Sequence, residues 1–146
     1  MHIRVLDTTL RDGEQTSGVS FTENEKLHIA KLLLDDLKVD RIEIASARVS
    51  EGEFRGAQKV MQWAGENGHL DKVEVLGFVD GDTSLKWIEK AGGKVINLLC
   101  KGSLKHCQQQ LRKTPEEHLE DIKRVLELAE KMGIRANIYL EDWSNG

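Results

Sequence analysis

Short apolar runs alternate with amphipathic helical patterns along the whole chain, and this alternation limits its fold more than any other feature. The runs cover residues 3–6, 41–45, 73–79, 95–100 and 134–140, and they are rich in Val, Ile and Leu, as buried strands are. A helical pattern follows each of the first four. The first helix opens on Thr22 with Glu25 three residues on, a capping box, and its apolar face is Leu27, Ala30, Leu33, Leu34 and Leu37. The second repeats the device with Ser50 and Glu53, over a face of Phe54, Ala57, Val60, Met61 and Ala64. The third is shorter, residues 84–91, and Gly92-Gly93 stops it. The fourth opens on Thr114, Pro115 and Glu117, carries Leu119, Ile122, Val125, Leu126 and Ala129, and ends at Gly133. Alternation of this kind implies a parallel sheet with right-handed crossovers.

The repeat length narrows the architecture. Successive strands start about 33 residues apart, close to the ~31 of an eight-unit (β/α) barrel of about 250 residues. Five strands do not close an eight-stranded barrel. The expectation is therefore α/β: a partial TIM barrel of about five parallel strands and four helices, not closed within this chain. Residues 1–146 read as the N-terminal portion of a catalytic domain, with roughly three further βα units beyond it. Such a piece leaves two sheet edges exposed, an association hazard. No linker, low-complexity tract or internal boundary interrupts it.

Composition excludes several classes of function. The 146 residues carry a net charge of −4 and a pI near 5.8, with no basic block to meet nucleic acid. No apolar run approaches membrane-spanning length, and residues 1–4 lead straight into a strand rather than a signal peptide. Cys100 and Cys107 form neither a disulfide framework nor a zinc pattern. They read as ordinary thiols of a reduced, cytoplasmic protein.

The chemistry concentrates in Asp7-Thr8-Thr9-Leu10-Arg11-Asp12-Gly13-Glu14-Gln15, directly after the first strand. Three carboxylates, an arginine, an amide and a glycine turn lie within one short loop. An Arg can stabilise a developing oxyanion while a neighbouring Asp holds a divalent metal; a solvated loop with a surface ion pair is the bland alternative. Other polar groups fall at the same carboxyl ends of the strands, where parallel α/β folds bind ligands: Ser46 and Arg48, Asp80 and Asp82, Lys101, Ser103 and His106, Glu141 and Asp142.

The string Leu-Arg-Asp-Gly-Glu-Gln resembles the signature of the metal-dependent Claisen-condensing synthases and related lyases built on a TIM barrel. Isopropylmalate, citramalate and homocitrate synthases belong to this group, with hydroxymethylglutaryl-CoA lyase. The resemblance implies that Arg11 contacts a 2-oxo acid, that Asp12 ligates a divalent metal (Mg, Mn or Zn), and that Gln15 lines the site. It likewise implies a substrate contact for Glu141 after the fifth strand, and puts Ser103 and His106 near the ligands. Acetyl-CoA is the implied co-substrate and a homodimer the implied state of the parent protein. Arg11 and the metal would stabilise the alkoxide formed when an acetyl-CoA enolate attacks the keto carbon. No convincing base for enolate formation stands in the sequence. The stretches 13–22 and 101–112 look most like isopropylmalate and citramalate synthases; 2-oxoisovalerate is the expected acceptor, pyruvate the runner-up, and homocitrate synthase third.

Some residues depart from the pattern. Ser17 stands where relatives often carry Pro, and Ala45-Ser46-Ala47 replaces a Gly-containing segment. The family's His-x-His pair is absent among His2, His28, His69, His106 and His118. His28 and His118 read as surface or packing residues of helices, leaving His106 as the functional candidate. Two readings of another class stand beside the synthase. One is an inert half-barrel scaffold. The other is a receiver-like, flavodoxin-fold signalling domain, loosely mimicked by Asp12, Asp80 and Lys101.

Overall fold

A computed structural model of the chain describes residues 3–146; Met1 and His2, one of the histidines considered above, lie outside them. Five strands form one sheet: β1 (Leu6–Asp7), β2 (Arg41–Ser46), β3 (Val73–Phe78), β4 (Val95–Lys101) and β5 (Arg135–Glu141). They lie side by side in chain order, and every pairing is parallel. The helices are α1 (Glu23–Lys31), α2 (Glu51–Glu66), α3 (Thr83–Ala91), α4 (Leu104–His106) and α5 (Pro115–Lys131). Sequential order is that of a barrel wall. A flavodoxin-like sheet runs 2-1-3-4-5, so the receiver-like alternative is excluded.

The sheet has two unlike faces. Because α1 packs on α2 and α2 on α3, these helices share one side of it. Beneath them Ile42, Ile44, Val75, Ile96, Leu98 and Cys100 are fully buried. Alternation turns Glu43, Glu74 and Asn97 to the opposite, inner face, where they too are fully buried. A bulge in β2 between Glu43 and Ala45 resets that alternation, so Ser46 comes into register with Leu76.

Several local expectations are met. Thr22 and Thr114 cap α1 and α5 with complete capping boxes, and Pro115 opens α5. Gly92 takes a φ of 87° to end α3, a conformation that suits only a residue without Cβ strain.

Others are corrected. The first strand is only Leu6–Asp7 rather than residues 3–6. It sits at the sheet edge, Ile3 and Val5 are exposed, and the Val5 N–H donates to Asp40 Oδ2 at 2.7 Å. The second capping box is half a box: Ser50 accepts from the Glu53 N–H, but the Glu53 carboxylate turns to Lys26. Leu37 does not join the core, because α1 runs into a wider π turn (Leu32–Asp36) that rotates it out of the stripe. Leu119 is also exposed, while Ile122, Val125, Leu126 and Ala129 pack inward. A short helix, α4, and a π turn (Cys107–Leu111) occupy the loop after β4, beyond the four helices expected. On β5, Ile138 and Leu140 remain exposed. No helix among the described residues is long and apolar enough to cross a membrane.

His118 is a packing residue of α5, as expected, but a buried one. Its Nε2 accepts from the Lys101 N–H at 3.0 Å, which ties the end of β4 to the helix. Burial holds its pKa below the ordinary 6.5. The unfolded chain therefore takes up this proton at a higher pH than the folded chain. Folded stability should be full above about 6.5 and decline as pH falls below it. Urea melts across pH 5–8 should show that decline, and His118→Gln, which keeps an acceptor without the titration, should flatten it.

Candidate active site

The turn after β1 is built on one carbonyl. The N–H groups of Arg11, Asp12 and Gly13 all donate to Thr8 O, at 3.1, 2.7 and 3.2 Å. The chain thereby reverses and sends Arg11 back over the inner face of the sheet. Arg11 Nε donates to Glu43 Oε1 at 2.6 Å and Nη1 to Asp12 Oδ1 at 2.9 Å. The Arg11 side chain is 14% exposed and that of Asp12 58%, so the pair has one largely enclosed and one open member.

Glu43 is the hinge of a polar relay. Its Oε2 accepts from Asn97 Nδ2 at 2.5 Å, and Asn97 Oδ1 accepts from Asn137 Nδ2 at 2.8 Å. The relay runs from the β1 loop through β2 and β4 to β5. On β3 the register partner of Glu43 is Glu74, another buried carboxylate, which accepts from Arg41 Nη1 at 3.2 Å. Burial first, then Glu43 and Glu74, push the Tyr139 hydroxyl up to about 12. This phenol keeps its proton at neutral pH.

A second group sits at the ends of β4 and β5. Lys101 pairs with Glu141. Ser103 is buried; its hydroxyl donates to Asp142 Oδ2 at 2.7 Å and accepts from the His106 N–H at 3.2 Å. His106 Nε2 lies 3.5 Å from the same Asp142 oxygen. Hydrogen bonds from Asn145 and Ser103 hold the Asp142 carboxyl below the usual carboxylate range. Gly102 donates to Glu141 O at 2.7 Å, and a Cβ there would meet Trp143 Cα at 2.9 Å. The two loops are thus clasped.

The structure therefore places the sequence candidates in two groups. Arg11 and Gln15 share a cleft of about 180 Å³ with Glu14, Ser46, Val49 and Glu53, and Asp12 adjoins Arg11. Ser103 and His106 gather on Asp142, and Glu141 on Lys101. Among the described residues no direct hydrogen bond or ion pair joins the two groups. They share the inner face instead, since Asn97 and Lys101 on β4, and Asn137 and Glu141 on β5, are each four residues apart. Arg48 and Asp80 pair at 2.6 Å, and Asp80 also holds the first turn of α3 through Ser84. Among the described residues no three His, Cys, Asp or Glu side chains are disposed to hold a metal. Asp12 alone is an incomplete donor set for a divalent ion. Cys100 and Cys107 are free and buried, and burial pushes the Cys100 thiol up to about 11, as fits an ordinary thiol.

Glu43, Asn97 and Asn137 lie inside β2, β4 and β5 and are not among the strand-end residues to which the sequence points. The available signal was a carboxylate and an amide inside apolar strand runs, since a buried polar group needs a partner.

A sequentially wound parallel sheet with an Arg–Asp turn at its carboxyl edge defines an α/β half-barrel carrying a charged site at the strand ends. A family model described as HMGL-like matches residues 2–145, and the chain belongs to that family. It is 40% identical over 142 residues to an (R)-citramalate synthase, CimA, of Methanocaldococcus jannaschii, covering 97% of this chain and 28% of that protein. A 2-isopropylmalate synthase of Saccharolobus solfataricus is 36% identical over 141 residues, covering 96% and 35%. A homocitrate synthase, AksA, of Methanopyrus kandleri is 39% identical over 138 residues, covering 94% and 33%. The chain thus spans about a third or less of these relatives. The crystal structure of a Bacillus subtilis HMG-CoA lyase superposes with a TM-score of 0.69 at 19% identity, covering 94% of this chain and 46% of that one, a likeness of fold.

Asn97→Ala would strip Glu43 of a donor and Asn137 of an acceptor. It should cost about 1–3 kcal/mol, read as a lower urea midpoint with unchanged m-value.

Proposed function

We propose that this chain is the N-terminal part of a synthase that condenses acetyl-CoA with a 2-oxo acid. The observation that carries the reading is the Arg11 guanidinium, held by buried Glu43 beside an open Asp12 carboxylate at the strand ends. A guanidinium fixed in this way presents donors that need no reorganisation when charge develops on a keto oxygen. Arg11 is assigned to the acceptor's keto and carboxylate oxygens, with Gln15 beside it in the cleft. Ser103 and His106, clasped to Asp142, and Glu141, paired with Lys101, are assigned to the acceptor's other side. Asp12 is offered as one ligand of a divalent metal. No group of further His, Cys, Asp or Glu side chains that would complete its coordination stands among the described residues.

The acceptor expected from the sequence is 2-oxoisovalerate, which would make the product 2-isopropylmalate and the pathway leucine synthesis. Pyruvate is the second reading, favoured by the 40% identity to a citramalate synthase. The parent enzyme is placed in the cytoplasm as a homodimer.

The test is CoA release by the parent protein with 2-oxoisovalerate, pyruvate and 2-oxoglutarate offered in turn. Arg11→Gln should lower kcat by about 10²–10³-fold, the usual loss when an oxyanion donor is removed. Near-normal turnover by that variant would remove the reading. A second expectation concerns the 146-residue chain itself, whose described residues lack a metal cluster. It should release no CoA and show no saturable Mn²⁺ binding tighter than millimolar. Turnover at the level of the parent would refute this.

A further inference from the structure

One buried cation is not used by the chemistry above. Lys26, on α1, is 2% exposed. Its Nζ lies 2.7 Å from Glu14 Oε2, 2.8 Å from Glu53 Oε1, 3.2 Å from Ile44 O and 3.3 Å from Leu10 O. An ammonium has three donors, so all of them are committed to this set of four acceptors. The acceptors come from the β1 loop, β2 and α2. Glu53 gives up half of its capping box to reach the lysine. Gly56 leaves room for the stem, since a Cβ there would stand 3.2 Å from Lys26 Cδ.

Two of these contacts bear on Arg11. The Leu10 carbonyl belongs to the peptide that leads directly into Arg11, so its direction sets the plane from which that side chain departs. Glu14 is anchored at both oxygens, one on Lys26 and the other accepting from the Phe21 N–H at 2.8 Å. It thereby closes the loop between the Arg–Asp turn and α1. Glu14 and Glu53 also line the cleft that holds Arg11 and Gln15. Burying a lysine is costly, and a well-packed apolar side chain of similar size often serves stability as well or better. What an apolar side chain does not do is draw two carboxylates and two carbonyls onto one point.

We propose that Lys26 is a positioning residue, whose ammonium fixes the Arg11–Asp12 turn and holds the acidic wall of the cleft closed. Its bearing on catalysis rests on the proposed role of Arg11; its bearing on the loop does not. With the charge removed, Glu14 and Glu53 face each other uncompensated, and the loop from Leu10 to Phe21 loses its tether.

The test compares wild type, Lys26→Met and Lys26→Arg of this chain by amide hydrogen exchange and by the NMR signal of the Arg11 Nε–H bonded to Glu43. Lys26→Met should exchange at least about tenfold faster over residues 10–21, a difference of about 1.4 kcal/mol. The amides of β3 and β4 should keep their rates, and the Arg11 Nε–H should lose protection. Lys26→Arg should restore part of both. A folded Lys26→Met with unchanged exchange over residues 10–21 and an unchanged Arg11 signal would overturn the proposal. Should Lys26→Met not fold, Glu14→Gln takes its place, because it keeps the lysine and removes one arm; the same local loss is expected, and its absence is equally decisive. In the parent, Lys26→Met should lower kcat more than it raises KM. If the wild-type parent condenses nothing while the loop still loosens, the functional reading fails and the positioning role stands.

Discussion

A carboxylate taken out of water has to be met by a cation or by several donors, and Glu43 is met by both. Arg11 approaches one of its oxygens and Asn97 the other. Around this anion the rest of the inner face is arranged. It holds Arg11 over the strand ends and gives Asn97 and Asn137 a reason to lie inside the sheet. It also stands in register with Glu74, so a second buried acid needs its own partner in Arg41. The two buried carboxylates lie side by side in the sheet, and each is paired with its own arginine. Removing either arginine would leave a buried carboxylate without its closest cation, the expensive case.

The same sheet keeps its hydrophobic work on the other side. With Ile42, Ile44, Val75, Ile96 and Leu98 under the helices, the apolar core needs nothing from the inner face. The inner face is thus free to be polar. The bulge in β2 is the device that lets one strand serve both, since it turns Ser46 toward the cleft two residues after Ile44 has turned to the core. Charge and packing are separated by the pleat, not by distance.

Much of this is legible in the sequence. The order of elements, four of the five strands and the caps of α1 and α5 follow from local rules that act within a few residues: apolar runs, Thr–x–x–Glu boxes, Pro115, Gly92. The misses come from interactions that no local rule contains. Glu53 satisfies the box pattern with Ser50, yet its side chain goes to a lysine on another helix. Leu37 fits the 3.6-residue stripe until the π turn shifts the phase. The β1 run is apolar, but an edge with one neighbour orders only Leu6–Asp7. Arg11 and Asp12 were visible as a motif. Glu43 and Asn97, which give Arg11 its direction, were not, because their meaning appears only when β2 and β4 lie in one sheet.

The strand order has a consequence for how such a molecule assembles. Each strand pairs only with the strand before it and the strand after it in the chain, so no pairing waits for a distant segment. A wall of this kind can grow unit by unit in the order of synthesis, each βα pair finding a finished edge to join. It can also lengthen without any earlier strand giving up its partner, which is a property of a repeating array more than of a sealed domain.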